Sequence, residues 1–203
     1  MRLTVFAPVC ILLSSCAHTV PVEALALSPV IEQAPIAVTV VYDDALRDFR
    51  CTASKGYIAD EWLIELGPAS VATFTPVFHA MFADIRVLPA GAAATGDRYV
   101  VTLSLDEYTG CDVAWPIIGS PVAIAYSARL TRGADMLLEA WTGSGESLAD
   151  DIITDESPAM NIDTYLARLT TLAIRRAVAD FLWKFEEDER VLAWKSAAIA
   201  DAP

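Results

Sequence analysis

The stretch RYVVTLSLDEY, Arg98–Tyr108, sets Val101, Leu103 and Leu105 against Thr102, Ser104 and Asp106 in strict alternation. Side chains on an extended chain change face at every residue, so one of these sets meets a core and the other meets water. The stretch reads as a strand of a sheet with one wet face. Two segments downstream, PVAIAYSARLTR from Pro121 and DMLLEAWTGSGES from Asp135, have strand character too, and TRGAD at Thr131 to Asp135 supplies a turn. That turn chemistry predicts a hairpin, and with it three antiparallel strands in a row.

Working outward, GPASVATFTPVFHAMFADI, Gly67 to Ile85, spaces Val71, Phe74, Phe78, Met81, Phe82 and Ile85 at three and four residues. This is the period of a helix with one apolar stripe. Pro76 leaves two versions open: a helix from near Pro68 that kinks at Pro76, or a shorter one capped by Thr75 with Pro76 at its first position. Both aim the same aromatic stripe at the core. The following IRVL reads as a short strand. From about Ile162 a long helix is predicted, with Ile162, Leu166, Leu169, Ala173, Ala177, Phe181 and Phe185 on one face. Arg168, Arg175, Arg176 and Asp180 fall elsewhere, EEDER after Phe185 is solvated, and VLAWKSAAIADAP either continues the helix or frays.

Nearer the N-terminus, IAVTVVY at Ile36 to Tyr42 is rich in β-branched residues and reads as a buried strand. Asp43 to Leu66 reads as a long connection with a short strand around Trp62. The fold class expected is α/β, of the α+β kind. It is a single small domain over residues 36–203, a mostly antiparallel sheet with two main helices packed on one face.

Before that domain, MRLTVFAPVCILLSSC opens with Arg2 and continues as a short apolar run from Leu3 to Leu13 with Pro8 inside it. A membrane-spanning helix needs about 20 apolar residues, so this run reads as a secretory signal peptide over residues 1–15. Its end, Leu13, Ser14, Ser15 and Cys16, resembles the lipobox of bacterial lipoproteins: an aliphatic residue, two small ones, then a cysteine that takes a diacylglyceryl group. By that resemblance Cys16 is acylated and becomes the first mature residue. The plainer alternative is an ordinary signal peptide with a cysteine at its end. Residues 16–35 carry three prolines after the cysteine, no aromatic residue and no clean period, and read as a lipid-anchored flexible tether. The non-acidic Ala17 implies, by the same resemblance, the periplasmic side of the outer membrane.

The chain carries 27 acidic against 14 basic residues, a formal net charge of −13. Such a charge repels nucleic acid and anionic headgroups, which argues against those partners. Membrane attachment must then come from acyl chains on Cys16, at about 0.8 kcal/mol per buried CH₂. Of four cysteines, Cys10 leaves with the signal and Cys16 is committed to lipid. The remaining pair, Cys51 and Cys111, suggests one disulfide in an oxidising compartment, closing a loop of about 60 residues and contributing roughly 4 kcal/mol by the chain-entropy account. Two separately buried thiols are the alternative reading. Neither cysteine has the spacing of a metal site.

The order of elements is strand, long connection, helix, short strand, three antiparallel strands, helix. Together with Leu13 to Cys16 it resembles a broad group of periplasmic lipoproteins: the YajG-type proteins, the PelC and CsgG secretion lipoproteins, and the N-terminal domain of TolB. The local features are Gly67 opening the first helix with Phe74, Phe78 and Phe82 along it, the Gly-Ser-Gly at Gly143 to Gly145, and the alanines Ala167, Ala173, Ala177 and Ala179 of the final helix. The resemblance implies a sheet with both helices on one face and a non-enzymatic role in envelope assembly or secretion, often as an oligomer. Cys51, Cys111 and the proline-bounded insert after Cys111 depart from it.

No chemistry-bearing constellation stands out. His18 follows the anchor too closely to be held in a catalytic geometry, and His79 lies just off the apolar stripe of its helix. TGSGES does not supply a nucleophile elbow, and its glycines read as relief of a strand end. Asp150, Asp151, Asp155 and Glu156 lack calcium-loop spacing and read as a solvated loop. No cofactor or metal is expected. CDVAWPIIGSP, Cys111 to Pro121, is different: Trp115, Pro116, Ile117 and Ile118 sit in a strand connection where polar turn residues belong. They either contact a partner or fold back to cap the core. Two functions stay open. One is a scaffold or secretion accessory of the cell envelope that binds envelope proteins or copies of itself. The other is a periplasmic enzyme built on carboxylates such as Asp106, Glu107 and Asp112.

Overall fold

The computed structural model describes residues 17–27, 29–54, 61–89, 98–111, 121–152 and 161–200. The alternating stretch forms a strand over Tyr99–Tyr108, followed by Val122–Arg132 and Asp135–Ser147 in antiparallel register, with Leu103 opposite Ala128 and Tyr126 opposite Gly143. Numbered in chain order with the other strands, these are β6, β7 and β8. The hairpin turn falls at Gly133, whose φ of 59° is the left-handed conformation that favours glycine.

The strand Ala34–Tyr42 (β2) joins β6, and Phe82–Val87 (β5) lies on its other side. Both of these pairings are parallel. The five-stranded sheet, in the order β5-β2-β6-β7-β8, thus joins two parallel ladders to the longer antiparallel ladders of β6, β7 and β8. The reason is topological: β2 and β5 are separated by a helix, and a crossover returns the chain in the same direction.

The helix over Leu66–Met81 (α2) is continuous through Pro76, which selects the longer of the two versions. Pro76 offers no N–H to the Ala72 carbonyl one turn back, and beside it the Thr75 hydroxyl donates to the Val71 carbonyl at 2.8 Å. The long helix over Ile162–Glu187 (α3) starts at Asn161, whose side chain caps the Thr164 N–H. Both helices cover one face of the sheet, as expected. Phe74 of α2 meets Phe181 of α3 at 5.4 Å directly above Tyr126 of β7, 4.8 Å from Phe74. The tail does not fray: Glu189–Ala200 forms a separate helix (α4) that seats Trp194 against Phe82 and Tyr99. Asp44–Arg47 adds a short helix (α1) ahead of α2.

A second sheet was not expected. Ala17–Val20 (β1), Cys51–Ser54 (β3) and Glu61–Ile64 (β4) form three strands in the order β1-β4-β3. β1 runs parallel to β4 with Ala17 beside Glu61 and Val20 beside Ile64, and Val20 is 1% exposed. The segment read as a tether over residues 16–35 is thus packed along the domain from Ala17 onward. Val22, Leu25 and Ile31 lean on the core, and the Leu25 N–H donates to Thr73 of α2 at 3.0 Å. Prolines in this segment signalled a flexible linker, but Pro21 and Pro35 sit where no ladder bond is lost. Pro21 follows β1, and Pro35 coincides with a register shift in β2.

Cys51 and Cys111 are bridged, with Cα atoms 5.9 Å apart, which ties β3 of the small sheet to the end of β6 in the large one. Among the described residues no helix is long and apolar enough to cross a membrane.

Candidate functional site

The outermost strand, β8, has no strand beyond it, and its backbone groups along that edge need other partners. Helix α3 supplies them. Asp180 accepts from the Ser144 N–H at 2.9 Å, and Arg176 donates to the Glu146 carbonyl at 2.6 Å. The close approach rests on Gly143 and Gly145. A Cβ at Gly145 would stand 2.2 Å from the Ala173 carbonyl oxygen, and one at Gly143 would stand 2.5 Å from the Ala177 carbonyl oxygen. The Gly-Ser-Gly is a helix seat, where the sequence had suggested relief of a strand end.

Past this seat the helix and the strand border a cleft of about 490 Å³, lined by Ala140, Thr142, Trp183, Lys184 and Arg190 among others. Trp183 is 59% exposed there. Its place follows from helical geometry: Phe181 and Phe185 point into the core and are fully buried, so the residue midway between them faces away. Around the indole stand ion pairs, Lys184 with Asp180 at 2.7 Å and Arg190 with Asp188 at 2.6 Å. The Arg190 guanidinium holds the Asp188 carboxyl down at about 2. Partial burial would raise Asp180, but bonds from Lys184 and the Ser144 N–H outweigh it and hold it low. The cleft thus sets one large apolar surface beside two ion pairs and the Glu187 side chain, the make-up of a contact centre with a polar rim. Sequence reasoning passed over Trp183, although a tryptophan on the side of the helix opposite the Phe181/Phe185 stripe was a readable signal.

A second, larger groove of about 670 Å³ runs along the N-terminal half of α3, with Arg168, Arg175, Thr171 and Leu172 on the helix and Pro21 and Glu23 across from it. Beside it the Arg176 guanidinium pulls Asp151 low by a two-pronged bond at 2.7 and 2.9 Å, so the acidic cluster read as a solvated loop contributes a structural ion pair.

The sequence-derived candidates are dispersed. Cys16, Asp112, Asp155, Glu156 and the loop residues Trp115, Pro116, Ile117 and Ile118 lie outside the described residues. Asp106 and Glu107 fall at an irregularity between β6 and β7, exposed, with Asp106 accepting from the Ser127 hydroxyl at 2.7 Å. His18 is 4.0 Å from Asp163 and stacks on Trp62, while His79 is exposed near the end of α2. These groups do not converge on one point. Among the described residues no three metal-ligating side chains cluster. Three tyrosines form hydroxyl pairs, two of them partly buried: burial pushes Tyr42 and Tyr108 up to about 12 against the pull of bonds to Thr75 and Thr170. Burial also raises Tyr126, whose hydroxyl is 2.7 Å from Ser70.

No family model matches the chain, and no curated protein matches it. Among solved structures, XCC0632 from Xanthomonas campestris, assigned to the family DUF330, superposes with a TM-score of 0.50 at 10% identity. The match covers 88% of this chain and 99% of that one. A second crystal structure, titled only as an uncharacterized protein, aligns at a TM-score of 0.34 and 8% identity over 78% of this chain and 97% of its own. The likeness to XCC0632 is one of fold, shared with a bacterial protein over nearly all of that protein's length.

Proposed function

We propose that this chain is a lipid-anchored, periplasm-facing scaffold or secretion accessory of the bacterial cell envelope, and that it acts by protein contacts rather than by catalysis. In this reading Cys16 carries the acyl chains and the protein sits on the outer membrane. The observation that carries the contact role is Trp183: a 59% exposed indole in a cleft lined in part by charged side chains at the sheet edge. A tryptophan so placed gains little for the fold and much for a partner that covers it, because hot spots at protein interfaces are enriched in tryptophan and desolvated at their centres.

The test is Trp183→Ser in the full-length protein, cross-linked in native envelopes and sized after detergent extraction. Loss of a cross-linked species, with the thermal midpoint held near that of the parent, is the expected result. An unchanged cross-linking pattern and unchanged size would refute the contact role of this cleft. Mass measurement of the mature N-terminus tests the anchor separately.

A further inference from the structure

Strand β1 is the element that decides how an anchor at Cys16 would hold this domain. Its first residue, Ala17, is already in register with Glu61 of β4, and His18 lies 4.0 Å from Asp163 in the first turn of α3. Between residue 16 and the paired chain there is one peptide step, about 3.8 Å. A flexible tether of some 20 residues would instead let the domain range over about 25 Å. The direction is equally defined. β1 enters at the end of the small sheet where Ser54 faces Glu61, and it leaves toward Cys51 and Ile64, ending in Val20, which is 1% exposed.

From this geometry we infer that the Ala17/Glu61/Asp163 end of the domain is its membrane-facing pole, held flush against a zwitterionic phospholipid surface with no slack in the anchor. The inference rests on the acylation reading above. The far pole is the turn at Gly133. α3 runs antiparallel to β8, with Ala173 against Gly145 and Phe185 against Trp141, so its N-terminal turn lies at the opposite end from that turn. The 11 residues of β7 alone separate the two poles by about 35 Å. Glu61 and Asp163 at the near pole bring negative charge toward the headgroups, so it is the acyl chains, and not charge attraction, that keep the pole in place. The Trp183 cleft lies toward the C-terminal end of α3, away from the bilayer and open to a periplasmic partner.

The experiment uses the lipidated protein in phosphatidylcholine vesicles. With Cys16 acylated and Cys51 bridged to Cys111, an introduced cysteine is the one reactive thiol, so Glu61→Cys and Asp135→Cys can each carry a fluorophore. Headgroup-nitroxide lipid should remove most of the fluorescence at position 61 and leave position 135 unquenched. A Gly-Ser insert of about 20 residues between Cys16 and Ala17 should abolish that difference. Equal quenching at the two positions in the protein without the insert overturns the inference while leaving acylation intact. A difference that survives the insert overturns it as well, because the short connection is then not what orients the domain. A mature N-terminus found without lipid overturns both the anchor reading and this one, and the mass spectrum tells that failure from the others.

Discussion

Replacing Gly145 by alanine should cost the fold more than replacing any glycine that merely turns the chain. A Cβ there would lie 2.2 Å from the Ala173 carbonyl oxygen and 2.4 Å from the Ala177 nitrogen, where ordinary contact begins at 3.4 Å. Both atoms belong to the backbone of α3, so no side-chain rotation relieves the overlap and the helix must retreat by about 1 Å. Overpacking of this kind costs typically 1–3 kcal/mol. Retreat also loosens Phe181 and Phe185 over Trp141, at 5.3 and 6.2 Å, and a radial gap approaching 1 Å forfeits up to about half of the attraction. Against this stands a gain of about 0.5–1 kcal/mol from a less flexible unfolded chain. The net loss is about 2 kcal/mol, or roughly 4–8 °C in thermal midpoint for a chain of this size. Gly133→Ala is the control: its φ is 59° and nothing lies within 4 Å of the added methyl, so it loses only backbone strain of about 1 kcal/mol. Urea unfolding followed by tryptophan fluorescence, with unchanged slope, measures both. If Gly145→Ala is no more destabilising than Gly133→Ala, the helix-seat argument is wrong.

Two further outcomes follow from buried and paired groups. Ser70→Ala should destabilise by about 1–3 kcal/mol because it strands the Tyr126 hydroxyl, whose partner at 2.7 Å is lost in a buried site; adding Tyr126→Phe should recover part of that loss, and an additive double mutant would contradict the pairing. Asp151, Asp180 and Asp188 are all held below the ordinary aspartate value near 3.9, Asp188 at about 2, so their contribution is full above about pH 4 and is lost as pH falls through the folded values. Thermal midpoints should therefore drop between about pH 4 and 2, less steeply in Asp188→Asn, and an identical slope in that variant would remove Asp188 from the account.

What the sequence determined by itself was everything with a local period. The alternation of Val101 and Leu103 with Thr102, the stripe from Phe74 to Phe82 and the face from Leu166 to Phe185 each specify an element and its buried side, because pleat and helix pitch are properties of a few consecutive residues; beyond them Ser104 is buried and Leu105 only half-buried, next to an irregularity in the ladder. The leftover pair Cys51 and Cys111 was legible by counting, and the structure bridges it. What only the tertiary structure decided concerns partners distant in the chain. Four residues, Ala17–Val20, carry too little pattern to announce a strand, and their fate depends on β4 offering an open parallel edge more than 40 residues later. Parallel pairing of β2 with β5 and β6 is likewise invisible in β2, since direction is a relation between strands. Gly143 and Gly145 look like any glycines near a strand end until α3 is laid across them. Trp183 becomes a candidate site for the same reason: its exposure is set by which face of α3 the sheet consumes, and that is settled in three dimensions.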